Sequence, residues 1–284
     1  MLSRREFIVG SAGAALAVQL PRRARTIQQV IDMIVAEIPN APWEPTVDTI
    51  KSGDPSQPCT GIITTFLATQ RVVNVAARHS LNLIITHEPT YYNHLDESDW
   101  LDNDPVYQAK RRVLDEKNIV IWRFHDYWHA YRPDGIVTGV LKLLGWEGYA
   151  LPGQPQICHI PQVKLSSLSL FMKQRFGAQR LRVMGNPDLE CTRVGLLMGA
   201  VGGQRQIEML RDVDVLVAGE VREWETTEYV RDAVLQGTRD IGLIVVGHAL
   251  SEEPGMKWLA EWLTPRVPGI RVVHQATGDP FYFV

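Results

Sequence analysis

Cysteine is scarce and dispersed in this chain: Cys59, Cys158 and Cys191 stand far apart and form no CxxC pair. That excludes a zinc knuckle and a disulfide framework, both of which need thiols at short, fixed spacing. An excess of charge of one sign is missing too. The sequence has 29 Lys and Arg against 32 Asp and Glu, a net charge of −3. There is thus no basic field of the kind that gathers nucleic acid. No low-complexity tract or short-period repeat occurs, and no apolar run reaches the ~20 residues that a membrane-spanning helix needs. What remains is an ordinary globular composition, 45% hydrophobic over 284 residues. That is enough for one sizeable domain or two small intertwined lobes with a real core.

Residues 1–24 read differently from the rest. Ser3-Arg4-Arg5-Glu6-Phe7-Ile8 precedes a mildly apolar stretch from Val9 to Val18, and Ala15-Leu16-Ala17 offers a small-x-small cleavage site. The pattern resembles a twin-arginine signal. It implies a signal peptide over 1–24, a mature domain over 25–284, and a periplasmic or extracellular location with no membrane attachment after cleavage. Export by that route in the folded state suits a protein that loads metal in the cytoplasm. An ordinary Sec signal or an uncleaved amphipathic N-terminus is the alternative.

Beyond that segment, helical and strand patterns alternate. Thr69 can cap a helix that carries Val72, Val73, Ala76 and Ala77 on one face. Val106 to Lys117 has a helical pattern. Leu81–Thr86, Ile119–Phe124, Arg193–Met198, Val213–Ala218 and Ile241–Val246 are apolar runs of buried-strand length. The alternation predicts an α/β fold with mainly parallel, two-sided sheets flanked by helices. The stretch from Leu151 to Asn186 has scattered proline and a less regular pattern, so a connection between two lobes is expected around 150–190.

The chemistry sits where the strands end. Leu81–Thr86 runs into His87-Glu88-Pro89, and Ile119–Phe124 into His125-Asp126-Tyr127-Trp128-His129. Val213–Ala218 runs into Gly219-Glu220, and Ile241–Val246 into Gly247-His248, with Glu252 one helical turn further on. Open α/β sheets bind their ligands beyond the carboxyl ends of the strands. A single histidine there is usually a loop residue, and His-Glu without a second histidine is no protease motif. Ser251 and Pro254 could equally mark a plain helix start after His248. Four strand ends that each deliver histidine or carboxylate to one rim point instead to a metal site.

These stretches resemble the NIF-three-like family, whose members often carry the label GTP cyclohydrolase I type 2. The family has a strand ending in His-His-Pro, then His-Thr-x-x-Asp, then a late Gly-His-x-x-x-Glu. The counterparts here are Asn82 to Pro89, His125 to His129, and Gly247-His248-Ala249-Leu250-Ser251-Glu252. Gly219-Glu220-Val221-Arg222 and Asp279-Pro280-Phe281 are similar to two further segments. The resemblance implies the family's fold in two interlocked lobes and a pair of divalent metal ions. It implies His87, Glu88, His129, His248 and Glu252 as the ligands. Glu88 stands where the family has histidine, and His129 where it has aspartate, so two opposite exchanges keep the inventory of three histidines and two carboxylates. Asp126 is the alternative to His129. Trp224 and Glu225 replace a family histidine and aspartate.

Imidazole and carboxylate ligands suit Zn, Mn, Fe, Co or Ni, and paired ions are commonly used for hydrolysis. The expectation is a metal-dependent hydrolase acting on a small molecule. Glu88 or Glu252 would bridge the ions, and His125, Asp126 or Glu253 would move the proton. His125 would orient a ligand or contact substrate. Glu220 is open between substrate contact and a structural hydrogen bond. The Gly199-Ala200-Val201-Gly202-Gly203 turn is open between anion binding and packing. A non-catalytic metal-storage or delivery protein is the competing class. The resemblance further implies a homo-oligomer, usually a hexamer. GTP is scarce outside the cytoplasm, which disfavours it as substrate of an exported chain.

Overall fold

The structure is a computed structural model that describes residues 25–282 and residue 284. The signal read over residues 1–24 lies outside the described residues. Among those, no helix is long and apolar enough to cross a membrane.

Two mixed sheets carry the molecule. In the first, β1 (Ile50–Ser52), β2 (Gly61–Thr65), β3 (Leu83–Thr86) and β4 (Val120–Arg123) are joined by β11 (Arg271–His274), in the order β1-β4-β3-β2-β11. Only β1 runs antiparallel to its neighbour. The second holds β5 (Ala150–Leu151), β6 (Gln154–Lys164), β7 (Arg182–Met184), β8 (Glu190–Leu197), β9 (Val215–Ala218) and β10 (Gly242–Val245). Its order is β5-β6-β8-β9-β10-β7, with a parallel centre of β8, β9 and β10 and antiparallel edges. The parallel strands β2, β3, β9 and β10 are buried at every position. That is why β3, β9 and β10 read as apolar runs rather than as alternating ones, whereas β2, with Gly61, Thr64 and Thr65, does not stand out. The stretch from Leu151 to Asn186 is itself part of the second sheet, since it supplies β6 and β7.

The helices fill the connections. α1 (Ile27–Val35) starts from a capping box between Thr26 and Gln29. α2 (Gln70–His79) is capped by Thr69 and buries Val72, Val73 and Ala76. α3 (Pro105–Glu116) starts with proline at its first turn under Asp104. Two short helices follow β4: α4 (Asp126–Ala130) and α5 (Gly135–Leu144). α6 (Leu165–Phe176), α7 (Gly203–Leu210) and α8 (Glu228–Gln236) flank the second sheet. α9 (His248–Leu263) then leaves β10 and leads the chain back to β11 in the first sheet. The first sheet is thus closed by the C-terminal part of the chain, which interlocks the two halves. One apolar core runs continuously across both sheets, from Ile62 and Leu83 through Phe124, Trp128 and Trp262 to Val215 and Ile244.

Candidate metal centre

The strand ends place the donors. His87 directly follows β3 and is fully buried. Its Nδ1 lies 3.2 Å from the Phe124 carbonyl. A carbonyl can only accept, so Nδ1 carries a hydrogen and Nε2 is the atom turned towards the neighbouring donors. That Nε2 is buried and has no hydrogen-bond partner among the described residues. Glu88 comes next along the chain. Its Oε2 sits 3.3 Å from Nη2 of Arg123, a fully buried guanidinium that also donates to the His87 carbonyl.

The strand β4 hands over to α4 through a cap supplied from elsewhere. Asp48 accepts the backbone N–H groups of His125, Asp126 and Tyr127 at 2.8–3.0 Å. These are the donors that a helix start leaves unsatisfied. The cap fixes the direction of α4, and the i,i+4 spacing puts His125 and His129 on one face. Each ring is then held by its Nδ1: His125 by Asp126 at 2.8 Å, His129 by Asp134 at 2.9 Å. The centroids of the His87, His125 and His129 rings lie within 4.6–5.0 Å of one another.

The second sheet contributes from the opposite side. Gly247, at φ 103°, turns the chain from β10 into α9, so His248 and Glu252 stand one turn apart. His248 Nε2 is 3.0 Å from Glu252 Oε2 and 3.5 Å from Glu88 Oε1. Its Nδ1 is 3.2 Å from Glu220 Oε1. Glu252 Oε2 also lies 3.6 Å from His87 Nε2. Gly199 makes room for this carboxylate: a Cβ there would fall 2.1 Å from Glu252 Oε1.

The result is two donor groups that share His87. One is His87, His125 and His129; the other is His87, Glu88 and Glu252, with His248 beside it. Glu88 Oε1 lies between the two, 3.6 Å from His125 Nε2 and 3.5 Å from His248 Nε2. The imidazoles differ in charge: burial opposes charge on His129, but Asp134, Glu252 and Glu88 outweigh it and raise its pKa. Burial, with His87 and His129 adjacent, pushes His125 down to about 4, so it is a neutral donor at physiological pH. Burial also opposes charge on His248, but the Glu252 and Glu88 carboxylates outweigh it and push the imidazole up to about 10. Burial works against Glu252 as well, and the facing His87 and His248 hold its carboxyl well below the usual range.

All five ligands inferred from the resemblance converge here, and His125 joins them as a sixth donor. Asp126 turns away: one oxygen faces His125 and the other accepts from Thr46 Oγ1 and Val47 N. Glu253 is likewise engaged, by the Phe66 and Thr277 amides and by His274. The N-terminus of α7 is already met by the chain itself, because the Glu225 carboxylate accepts from Gly203 N at 3.1 Å. Gly203 belongs there for lack of space, a Cβ being only 2.3 Å from that carboxylate. The exposed Trp224 stands outside the cluster, as do His79 and His159. Sequence reasoning missed Asp48, Arg123, Asp134 and His94. Asp134 had a visible signal, an Asp-Gly step before the apolar run of α5, but its bond to His129 had none. His94 is exposed, 6.4 Å from the His125 ring, on the ridge between two clefts of about 1000 and 940 Å³. Both clefts reach Glu88 and His248.

The residues fit a divalent metal. His87 offers a buried ring nitrogen with no hydrogen-bond partner among the described residues, and an unsatisfied buried donor or acceptor costs on the order of 1–3 kcal/mol. Four imidazoles have their other nitrogen fixed by a carbonyl or carboxylate, the arrangement that orients metal-binding histidines.

Known proteins agree with this fold. The family model for Duf34/NIF3 (NGG1p interacting factor 3) matches residues 28–279. A "GTP cyclohydrolase 1 type 2 homolog" of Clostridium acetobutylicum is 22% identical over 247 residues, which is 81% of this chain and 88% of that protein. The hypothetical protein SA1388 of Staphylococcus aureus superposes with a TM-score of 0.74 at 18% identity, over 92% of this chain and 100% of its own. A Bacillus cereus protein related to NIF3 gives 0.72 at 15% identity, over 93% and 100%. With the family model spanning almost the whole described chain, the protein belongs to the Duf34/NIF3 family.

Proposed function

We propose that this protein is a metal-dependent hydrolase of a small molecule, working through two divalent ions held by His87, Glu88, His125, His129, His248 and Glu252. The observation that carries the reading is the buried Nε2 of His87, without a hydrogen-bond partner among the described residues, at the junction of two donor groups. Bound by these residues, two ions would supply water activation and stabilisation of developing negative charge. The chain's own part is to hold the donors. Asp126, Asp134, Glu220 and the Phe124 carbonyl fix the four rings, and Arg123 steadies Glu88. His94, whose carbonyl accepts from Arg123 but whose ring makes no hydrogen bond among the described residues, is open to both clefts and placed to carry a proton between site and solvent. Two open clefts on the cluster favour catalysis over storage, for which a closed coordination shell would serve. The reading extends to a periplasmic or extracellular homo-oligomer exported by the twin-arginine route. Replacing Arg4 and Arg5 by Lys should hold its precursor in the cytoplasm.

The exchange of Glu88 and His129 gives the test. Glu88→His alone leaves one carboxylate less to balance two divalent ions. His129→Asp alone adds one and shifts the preference towards harder metals. The double variant restores the count. Elemental analysis should find about two ions per chain in the parent and the double variant and fewer, or different, ions in each single variant. That is the non-additivity expected of residues in one network. Losses that simply add would separate the two residues. A metal-loaded protein inactive across phosphoesters, amides, lactones and cyclic amidines would leave storage or delivery as the function.

A further inference from the structure

The larger part of the 940 Å³ cleft is untouched by the metal chemistry, and one wall of it holds a buried cation. Lys110, on α3, is only 5% exposed yet lines this cleft. Its Nζ donates to the Thr90 carbonyl at 2.8 Å and lies 5.7–5.8 Å from the centroids of the Tyr91 and Tyr92 rings. It forms no ion pair among the described residues. The nearby Asp96 is turned to Lys51 and Arg123 instead. An ammonium has three donors, so two of them lack a protein partner. Burying a cation in that state is costly, and an aliphatic residue would fill the space without the cost.

A second observation falls on the same wall. Thr90 also lines the cleft, and its Oγ1 is buried with no hydrogen-bond partner among the described residues. Its backbone is locked in place: the Thr90 N–H is held by Asp96 at 2.6 Å and its carbonyl by Lys110. A hydroxyl on a fixed backbone and an ammonium bonded to the carbonyl of the same residue, both with unused hydrogen-bonding capacity, thus line one cleft. The same cleft runs on to Glu88 and His248 at the metal centre and is bordered by the apolar Phe66, Tyr92 and Phe281.

We propose that Lys110 and Thr90 form an oxyanion subsite, and that the substrate of the metal centre is a small molecule with a phosphate or carboxylate at one end and an apolar or planar body. The anionic end docks on Lys110 and Thr90, the body lies against Tyr92 and Phe66, and the reacting group reaches Glu88 and His248. This rests on the hydrolase reading for the word substrate but not for the subsite itself. Burial pushes the Lys110 ammonium down to about 8, and it stays cationic at neutral pH.

Phenyl phosphate and benzoate serve as probes, titrated by NMR at pH 7 into chelator-treated and metal-loaded protein. At least one should bind the metal-free chain, and the stronger of the two names the anion. Lys110→Met should weaken that binding at least tenfold in both forms. Thr90→Val should weaken it severalfold while leaving the thermal midpoint unchanged or higher, because the hydroxyl it removes has no partner to lose. Binding that is equal in all three proteins, or seen only with metal bound, overturns the subsite. A subsite that survives in a protein hydrolysing nothing would sink the hydrolase reading alone. Turnover of anionic substrates unaffected by Lys110→Met would sink the subsite alone.

Discussion

Asp134 shows how one residue can serve local structure and site together. Its Oδ1 caps α5 by accepting from Ile136 N and Val137 N at 2.8 and 3.1 Å, while Oδ2 holds His129 Nδ1. Asp134→Ala should therefore cost about 0.5–2 kcal/mol as a lost cap and roughly 10–100-fold in metal affinity as a lost orienting carboxylate. Chemical denaturation and metal titration read the two separately. A variant that loses stability but binds metal as the parent does would limit Asp134 to capping. Lys110 makes the opposite case, a residue that stability alone would not keep. Lysine titrates near 10.5 in an unfolded chain and at about 8 here. Between those values the unfolded chain holds more protons, so the residue's contribution becomes more favourable as pH rises, and below pH 8 its full cost applies. A difference of that size is worth about 3 kcal/mol, against about 1 kcal/mol for the hydrogen bond to Thr90. Lys110→Met should then stabilise the fold by about 2 kcal/mol at pH 7, and the gain should disappear by pH 10.5. Urea unfolding at both pH values decides it, and a variant less stable at pH 7 contradicts the account.

At the scale of elements, glycine sets how closely parts approach. α5 crosses α9 so tightly that a Cβ on Gly139 would lie 2.3 Å from the Pro254 carbonyl oxygen and 2.5 Å from Gly255 Cα. Both are backbone atoms and cannot rotate away. Gly139→Ala should cost about 1–3 kcal/mol through overpacking and leave the donors in place. Gly199→Ala inserts the same methyl group against the Glu252 carboxylate, at a residue with φ 67°. Its main effect should be a fall in bound metal beyond what the lost stability explains. Thermal unfolding and elemental analysis of the pair would show whether packing and ligand placement are separable in this way. Such contacts left little trace in the sequence, where nothing marked Gly139, and Gly199 stood out only as part of a glycine-rich turn. The strands that carry the donors were legible because β3, β4, β9 and β10 are buried on both faces and end in His or carboxylate. Less legible were β1 and β11, with three and four residues and no position fully buried. Their pairing depends on β4 and β2, which are distant along the chain. The sheet character of residues 154–164 was hidden because β6 is exposed on one side and interrupted by Pro155 and Pro161.

The whole molecule is organised around donors that arrive from both sheets. His87, Glu88, His125 and His129 follow strands of the first, and His248 and Glu252 follow β10 of the second. Reading strand ends alone brought these residues to one rim. It could not supply Asp48 or Arg123, whose partners come from other parts of the chain. Because no part of the chain holds all the donors, an ion can bind the assembled fold and not the unfolded chain. Ligand at 100 times its dissociation constant then adds about 2.7 kcal/mol per site. For a domain of this length each kcal/mol moves the midpoint by about 2–4 °C, so stripping one tightly held ion should lower it by roughly 5–10 °C. The drop should reverse when metal is returned. The loss should also leave one transition rather than two, since the apolar core from Ile62 to Ile244 joins the sheets independently of the site. Calorimetry of chelated and reloaded protein checks both parts. An unchanged midpoint would argue that no ion is held by these residues. A split transition after chelation would mean that the metal, rather than the shared core and the return of the chain to β11, is what binds the two sheets into one unit.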